Sequence, residues 1–405
     1  MTHIEQMIQD LCPNGVEWKT LGEVEKSGFI SMGRGNVISK DDMKNTPGDY
    51  PVYSSSSVGN GEIGRYGLFM FDDERITWSI DGGGKFFYRN NHKYSVTNVG
   101  GWIKVLREDI ITTKYLYYVL TKEWETKVYD YNHKAHPSVI REEYDIPIPP
   151  LEIQKKIVEC LDKFSALAAE LQAELQKRRT QYEFYRTQLL TPPQNLSSGN
   201  STDERNWVMT TLGEIGTFTR GRRFVRTDIV DEGQPCIHYG DMYTYYGLAT
   251  DHARTYLPKD FPVNLRYAEK GDVIIVGAGE NDMDIGVGCV WEGDEPVAVH
   301  DACYIFKHNQ CPRFISHYLR TLDYHLQIKK NVSSAKICAI SPEGIAKAKI
   351  ALPPLAEQKR IADFLDKFEV LLNSLSDGIP AEQAAQQKRY EYYRDKLLSF
   401  EKKGN

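Results

Sequence analysis

The sequence predicts an α+β protein in which two copies of one α+β unit are joined by two long helices that pair as an antiparallel coiled coil. Three observations support this fold class. Short motifs recur in the same order in both halves, each half changes from strand-like to helical texture, and the helical stretches carry a regular apolar repeat. With 405 residues, the chain is also long enough for two or three domains.

The duplication is visible in motifs that occur once in each half of the chain. The pairs are Thr20–Glu23 with Thr211–Glu214, Pro149–Leu151 with Pro353–Leu355, Leu161–Phe164 with Leu365–Phe368, and Tyr182–Arg186 with Tyr390–Arg394. Chance can produce one such match, but not several in the same order. A unit of roughly 190 to 200 residues is also too long for a solenoid repeat. The chain therefore contains two copies of one unit.

The first part of each unit, residues 1–150 and 207–350, predicts an α+β domain. Both parts are rich in Gly, Tyr, Val and Ile, and their short apolar runs alternate with turn residues. The predicted strands include Ile274–Val276, Val287–Val290 and Ala302–Phe306, and the predicted helices include Thr113–Leu120 and Phe314–Leu322.

The second part of each unit, residues 151–190 and 351–401, predicts a long helix. Within Ile157–Leu189, alternating steps of four and three residues form an apolar stripe that only Arg178 interrupts. This period of about 3.5 residues is typical of a coiled-coil seam. The second copy begins with the same stripe but contains Gly378-Ile379-Pro380, where we expect proline to kink or break the helix.

The two helices can pack in two ways. Each helix packs only on its own sheet, or the two helices pack on each other. A seam without a partner would expose a stripe of Leu and aromatic side chains, so we expect the pair, and the connections at both ends make it antiparallel. Residues 191–206, rich in Pro, Ser and Asn, predict a polar linker between the units.

Composition limits the function classes. The net charge of -6 does not indicate a nucleic-acid binder, so any such contact must come from local patches. The seven cysteines are scattered and never form a C-x-x-C pair, which argues against a zinc site or a disulfide scaffold. No signal peptide or membrane-spanning run is present, and we expect a protein of the reducing cytoplasm.

Motifs for catalysis or cofactor binding are incomplete. Val273–Gly279 resembles a strand entering a dinucleotide-binding turn, but Asp282 stands where the third glycine belongs. Asp81–Lys85 lacks the spacing of a phosphate loop, His300-Asp301 has no nucleophile motif nearby, and Asp72–Glu74 has no second acidic cluster for a metal. We therefore expect no catalytic residue, no metal site and no bound cofactor.

Positive charge is concentrated in two pairs of loops at matching places in the two halves. One pair is the Arg-Gly segment at Arg34 and at Arg220, and the other is His133–Ser138 with Ser333–Cys338. Glycine allows close approach to the backbone, and arginine pairs with a guanine edge or a phosphate. A solvated charged surface is the alternative. The candidate nucleic-acid contacts are Arg34, Lys85, Lys134, His136, Arg220, Arg222, Arg223, Arg226 and Lys336.

In combination, the motifs resemble the specificity subunits of type I restriction-modification systems. The matching segments are Gly15–Glu23, Ile146–Ile157, Leu161–Phe164 and Tyr182–Leu190 in the first half, and Ile350–Ile361, Leu365–Phe368 and Tyr390–Leu398 in the second. The tetrapeptides Ala169–Gln172 and Ala173–Gln176 resemble spacer repeats of one branch of this family. Gly378–Pro380 departs from the family pattern and places a continuous second helix in doubt.

The resemblance implies a function without catalysis. Each α+β domain would be a target recognition domain for one half of a bipartite double-stranded DNA target, and the helices would be the spacer that fixes the distance between the halves. Two methyltransferase subunits would dock on this chain, and restriction/translocase subunits would join them. S-adenosylmethionine, ATP and magnesium would belong to those partners.

Two alternatives remain open at this point. One is an enzyme of nucleotide chemistry that uses the glycine-rich strand at Val273–Gly279, which calorimetry with a dinucleotide would reveal. The other is a recognition subunit for a fused methyltransferase-nuclease, which the neighbouring open reading frames would identify.

Overall fold

The chain forms two compact units in a computed structural model, which describes residues 3–130, 132–192, 207–280, 284–334, 337–373 and 378–404. Unit 1 consists of Met1–Gln172 and Glu382–Asn405, and unit 2 is Ala173–Ala381. The border falls within helices, so each unit contains one α+β part and segments of the long helices.

Unit 1 contains a four-stranded sheet, a three-stranded sheet and a strand pair. Its helices are α1 His3–Leu11, α2 Leu21–Lys26, α3 Lys40–Asn45, α4 Thr113–Trp124, α5 Pro137–Glu143 and the first part of α6 Leu151–Leu190. Its strands are β1 Glu17–Thr20, β2 Ile30–Arg34, β3 Tyr50–Tyr53, β4 Glu62–Tyr66, β5 Arg75–Ser79, β6 Phe86–Arg89, β7 Ser95–Val96, β8 Gly100–Val105 and β9 Asp145–Ile148. The sheet orders are β2-β8-β5-β6, β4-β3-β7 and β1-β9.

Unit 2 repeats this arrangement with additional strands. Its helices are α7 Leu212–Ile215, α8 Asp241–Thr244, α9 Pro312–Tyr318, α10 Leu322–Lys329, α11 Pro342–Ala346, α12 Leu355–Asn373 and the start of α13 Ile379–Leu397. Its strands are β10 Val208–Thr211, β11 Gly216–Arg220, β12 Gln234–Ile237, β13 Ala249–Thr250, β14 Thr255–Leu257, β15 Tyr267–Ala268, β16 Val273–Val276, β17 Ala278–Gly279, β18 Gly288–Trp291, β19 Val297–Val299, β20 Cys303–His308, β21 Ser333–Ser334, β22 Cys338–Ala339 and β23 Lys349–Leu352. The sheet orders are β11-β20-β16-β18-β13, β14-β12-β19-β15, β17-β22-β21 and β10-β23.

The repeated Thr-Leu-Gly-Glu motif starts a short helix at the same place in both units. The backbone N–H of Thr20 donates to the Glu23 carboxylate at 2.8 Å, and that of Thr211 donates to Glu214 at 2.8 Å. This is the capping-box arrangement, which satisfies backbone donors at a helix start. The glycine brings α2 close to α5, since a Cβ on Gly22 would lie 3.2 Å from Arg141 Cβ.

A Gln-Lys pair occurs at the same place in both halves, as Gln154-Lys155 and Gln358-Lys359, and its glutamine attaches each long helix to its own α+β part. Gln154 is fully buried; its Oε1 accepts from Thr112 N at 2.9 Å and its Nε2 donates to Ile110 O at 2.8 Å. Gln358 in unit 2 likewise accepts from Cys311 N at 3.0 Å. A buried amide requires such partners, because an unsatisfied one costs about 1–3 kcal/mol.

Within each unit the long-helix segments pair antiparallel. In unit 1, the ring of Phe164 in α6 stacks on Tyr393 in α13 with centroids 5.4 Å apart, and Gln383 Nε2 donates to Gln172 Oε1 at 3.0 Å. Phe164 precedes Gln172 in α6, whereas its partner Tyr393 follows Gln383 in α13. The two helices therefore run in opposite directions.

The same arrangement occurs in unit 2, where α6 pairs with α12. The ring centroids of Tyr182 and Phe368 lie 6.3 Å apart, and those of Tyr185 and Phe364 lie 6.1 Å apart. Of the seam positions expected in α6, Ala168 is exposed while the others are at least half-buried. None of the helices in the described ranges combines the length and apolar character that a membrane span requires.

The structure confirms the break that was expected at Gly378-Ile379-Pro380, because residues 351–401 contain two helices. The helix α12 ends at Asn373, and α13 begins at Ile379 with Pro380 in its first turn. Proline lacks the backbone N–H that a helix interior needs but is well tolerated in a first turn, so it favours a new start. The expected seam residue Leu375 lies outside the described residues.

Candidate nucleic-acid interface

Arg34 is the last residue of β2 in unit 1, and its side chain is exposed. Its Nε donates to the backbone oxygen of Asn98 at 2.8 Å. The next backbone N–H, of Gly35, donates to Gly100 O at 3.0 Å, and the N–H of Asn36 donates to Val96 O at 3.0 Å. A Cβ on Gly35 would lie 2.0 Å from Val96 O, so glycine is needed for this close approach.

Arg220 occupies the equivalent place in unit 2, at the end of β11. Its Nε donates to Asp301 O at 2.7 Å, and the N–H of Gly221 donates to Cys303 O at 3.0 Å. The N–H of Arg222 donates to Val299 O at 2.9 Å, and a Cβ on Gly221 would lie 2.2 Å from the same oxygen. The contacts match those of unit 1 one by one. The structure therefore confirms that the two Arg-Gly segments are equivalent.

The two segments differ in charge. Arg222, Arg223 and Arg226 follow Gly221, all three are exposed, and none forms an ion pair within the described part of the chain. Arg220 itself lies 3.7 Å from the Asp301 carboxylate. Sequence reasoning missed Arg266, whose Nη1 donates to Arg220 O at 2.6 Å and which adds a further guanidinium beside this segment. The Arg-Gly segment of unit 2 therefore carries more exposed positive charge than that of unit 1.

Lys85 and Lys134 lie in neighbouring loops of unit 1. Lys134 forms an ion pair with Asp81 at 3.2 Å, and Lys85 Nζ donates to Ser57 O at 3.3 Å. The loop of Lys134 is held against β5, because Trp78 Nε1 donates to Ala135 O at 2.8 Å. The structure thus brings these two lysines together but neutralises one of them, a pairing that sequence spacing did not reveal.

The other two candidate contacts of the second loop pair are His136 and Lys336, and the structure describes only the first of them. His136 is exposed directly before α5, and its Nδ1 lies 3.1 Å from Ser138 Oγ. Lys336 lies outside the described residues. Cys338, two residues later in β22, pairs with Gly279 in β17.

Two motifs that resembled other sites have structural explanations. The acidic turn is held by ion pairs, because Asp73 contacts Arg75 at 2.6 Å and Lys104 at 3.2 Å. The glycine-rich segment continues from β16 into the short strand Ala278–Gly279 rather than into a helix, which differs from a dinucleotide-binding turn. Within the described ranges, no group of three or more His, Cys, Asp or Glu side chains is placed to hold a metal ion.

A cavity of about 410 Å³ lies beside the arginine segment of unit 2, and we call it the His238 pocket. Its lining includes Phe224, His238, Tyr239, His300 and the two rim arginines Arg223 and Arg226. Burial is the main cause that lowers the pKa of His238, and the Arg226 charge lowers it further against the opposing effect of Asp241. Burial also lowers the pKa of His300 to about 4. Both imidazoles are therefore neutral at pH 7.

Comparison with known families gives a match to both halves of the chain. A profile described as "Type I restriction modification DNA specificity domain" matches residues 13–178 and residues 204–382. The chain is 28% identical over 422 residues to a putative type I restriction enzyme specificity subunit of Haemophilus influenzae, with 98% of each chain covered. It is 30% identical over 303 residues to the EcoR124I/EcoR124II specificity subunit of Escherichia coli, with 71% of each covered.

Solved structures show the same fold. A crystal structure of the S subunit of a type I restriction-modification system from M. genitalium gives a TM-score of 0.54 at 16% identity, covering 95% of this chain and 96% of that one. A chain from a structural study of type I complex assembly gives a TM-score of 0.59 at 16% identity, covering 95% and 98%. The likeness and the twofold family match confirm the predicted fold class.

Proposed function

Because the chain belongs to the type I restriction-modification DNA specificity family, we propose that its two units each recognise one half of a bipartite DNA target. The chain is the specificity subunit of a type I complex and contributes sequence recognition rather than catalysis. The observation that supports two half-sites is the matched pair of arginine segments, one at the end of β2 and one at the end of β11.

The proposed DNA contacts differ between the target recognition domains at residues 1–150 and 207–350. In unit 1 they are Arg34, Lys85, Lys134 and His136, and in unit 2 they are Arg220, Arg222, Arg223, Arg226 and Lys336. An exposed guanidinium can pair in a bidentate manner with guanine O6 and N7 or with a phosphate. Two units with the same backbone contacts but different loop side chains suit recognition of two different sequences.

The duplicated motif near the end of each long helix suggests where partners dock. Phe184 and Tyr392 occupy the same position in Tyr182–Arg186 and Tyr390–Arg394, and their exposed fractions are 61% and 58%. Exposed aromatic side chains are typical of interface cores. Equivalent sites would accept two copies of one partner, so we infer two methyltransferase subunits, joined by restriction/translocase subunits that bring ATP and magnesium. The seven free thiols are consistent with a cytoplasmic location.

Genome methylation is the direct test. The gene for this chain is expressed in a cell together with the methyltransferase gene, and methylated bases are mapped by sequencing. We expect methylation at one bipartite motif with a fixed unspecified gap, and none when either gene is expressed alone. Methylation by this chain alone, or methylation without a sequence motif, would contradict the proposed function.

The spacer helices of residues 151–190 and 351–401 are proposed to set the gap length, and residues 191–206 are the proposed linker between the two sequence repeats. The helix α6 has 40 residues, and deletion of Ala173–Gln176 would shorten it by about 6 Å, or one to two base pairs at ~3.4 Å each. We expect both half-site sequences to stay and the gap to shrink. An active enzyme with an unchanged gap would show that the helices do not determine spacing.

A further inference from the structure

The His238 pocket is lined by aromatic rings. The centroids of Phe224 and His300 lie 5.0 Å apart, those of His238 and His300 lie 4.7 Å apart, and those of His238 and Tyr239 lie 4.6 Å apart. Tyr239 is half-buried, whereas Phe224 is 1% exposed. Ring planes at the wall of a cavity favour a planar aromatic ligand, because bases stack on such side chains.

His238 presents one hydrogen-bond donor without an acceptor. Its Nδ1 accepts from the backbone N–H of Gly240 at 3.2 Å, so the neutral ring carries its proton on Nε2. His238 is 7% exposed, and its Nε2 has no hydrogen-bond partner among the residues that the structure describes. Because Nε2 is not among the buried side-chain atoms that lack a partner, it opens to solvent in the pocket, and its N–H is available to an acceptor on a ligand.

The pocket lining carries charge of both signs, because Arg223 and Arg226 line it together with Glu280 and Asp301. Arg223 and Arg226 line it, both are exposed, and neither forms an ion pair within the described ranges. The guanidinium of Arg226 is close to the imidazole, because a Cβ built on Gly240 would lie 3.3 Å from His238 Nδ1 and 3.6 Å from Arg226 Nη2. Asp301 already contacts Arg220 at 3.7 Å and His300 at 3.3 Å, whereas Arg223 and Arg226 keep guanidinium groups that match a phosphate.

We propose that the His238 pocket binds a single nucleotide, with its base among the rings, a base acceptor on His238 Nε2–H and its phosphate on Arg223 and Arg226. The cavity of about 410 Å³ has room for one base but not for a stacked base pair in a duplex. The nucleotide would be either one unit of the bound DNA that has left the stack or a free mononucleotide. The first alternative, a nucleotide of bound DNA, rests on the proposed function. The chemistry by which the pocket would hold a nucleotide does not depend on it.

Unit 1 lacks this site at the equivalent place. The strand β3 pairs in parallel with β7 as β12 does with β19, so Ser54 and Thr97 occupy the positions of His238 and His300. The hydroxyl oxygens of Ser54 and Thr97 lie 2.7 Å apart and form a hydrogen bond with each other. Two small hydroxyls that bond each other offer no ring for a base to stack on, so the inferred pocket belongs to unit 2.

The test uses the full chain assembled with its methyltransferase partner and duplexes that carry the mapped target. 2-Aminopurine, which fluoresces strongly when it leaves the base stack, replaces each base of each half-site in turn. We expect a several-fold rise in fluorescence at one position of one half-site. His238→Asn keeps an acceptor for Gly240 N–H but loses the Nε2 donor, and we expect it to remove the rise and to weaken binding roughly tenfold. His238→Gln keeps a donor near Nε2 and should retain more of the rise, and Ser54→Ala is the matched control in unit 1.

A second arm distinguishes the two sources. The full chain without DNA is titrated with dAMP, dCMP, dGMP and dTMP, and binding that His238→Asn abolishes supports a free nucleotide in the pocket. Target-specific DNA binding without any fluorescence rise and without mononucleotide binding would overturn the pocket proposal while leaving the proposed function intact. Binding to the target no tighter than to unrelated DNA would instead contradict the proposed function, and the mononucleotide arm would still test the pocket.

Discussion

Units 1 and 2 share the backbone framework of the site but differ in its side chains. In each unit an arginine ends a strand, the following glycine fits against a strand carbonyl, and the arginine Nε donates to a loop carbonyl. The loop residues that surround this framework have little in common, since Ser54 and Thr97 in unit 1 correspond to His238 and His300 in unit 2. The shared positions hold the fold, and the differing positions are where recognition of different sequences can arise.

The same distinction applies where each long helix meets its α+β part. The buried glutamine is identical in both units, because it completes hydrogen bonds of the backbone. The side chains around the helix aspartate differ, with Lys114 and Tyr118 on Asp162 in unit 1 and Arg313 and His317 on Asp366 in unit 2. The glutamine must match fixed backbone groups, so the residue type stays the same in both units. A carboxylate can accept hydrogen bonds from several kinds of side chain, so its partners can differ.

The largest expected effect tests the shared framework. Gly35→Ala and Gly221→Ala each place a Cβ near 2 Å from a backbone oxygen, which cannot move without shifting a strand. We expect each substitution to lower the free energy of unfolding by about 3 kcal/mol or more. Chemical denaturation measures this, with Gly247→Ala as the control, because a Cβ there meets nothing within 4 Å. A large loss at only one of the two positions would refute their structural equivalence.

A smaller effect concerns stability at acid pH, which we expect to fall more in unit 2 than in unit 1. Burial lowers the pKa of His300 and of His308 to about 4, against about 6.5 in an unfolded chain. The unfolded state then binds more protons between pH 6.5 and 4, so the stabilisation present above pH 6.5 is lost as the pH falls. Each of the two histidines should lower the stability of unit 2 by about 2 kcal/mol between pH 7 and pH 5.

Hydrogen exchange at pH 7 and pH 5, corrected for intrinsic exchange rates, measures this difference unit by unit. Protection in the core strands of unit 2, such as β16 and β20, should fall more than protection in β5 and β8 of unit 1. Equal loss of protection in the two units would mean that the buried imidazoles do not control the acid response.

The smallest effect concerns charge alone. Arg222 is exposed and has no ion pair among the described residues, so Arg222→Gln should leave stability within about 0.5 kcal/mol. If Arg222 contacts a phosphate, the slope of log binding constant against log salt concentration should become shallower by about one in this variant. The sequence preference should not change. Asn36→Gln, at the equivalent position of unit 1, is the matched control. A changed preference at one base would instead show that Arg222 contacts a base edge.

The sequence was sufficient for the features that repeat and insufficient for those that depend on distant pairing. Local motifs such as Thr20–Glu23 and the apolar stripe of α6 predicted helix starts and helix pairing, because their physical causes are local. The ion pair of Lys134 with Asp81 and the placement of His238 beside His300 depend on pairing between strands far apart in the chain. The sequence singled out His300 in a His-Asp pair and Arg223 and Arg226 in a charged loop, but no local signal placed His238 beside them, so the pocket was not predicted.

The central claim is that each unit recognises its own half of the target, and one pair of variants tests it most directly. Arg34→Ala and Arg220→Ala are expressed separately with the methyltransferase gene, and the methylated motif of each is mapped across the genome. We expect Arg34→Ala to relax one half-site and Arg220→Ala the other, each by about 1–3 kcal/mol at one base, with the opposite half and the gap unchanged. Relaxation of the same half by both variants, or of both halves by either one, would contradict the division of recognition between the two units.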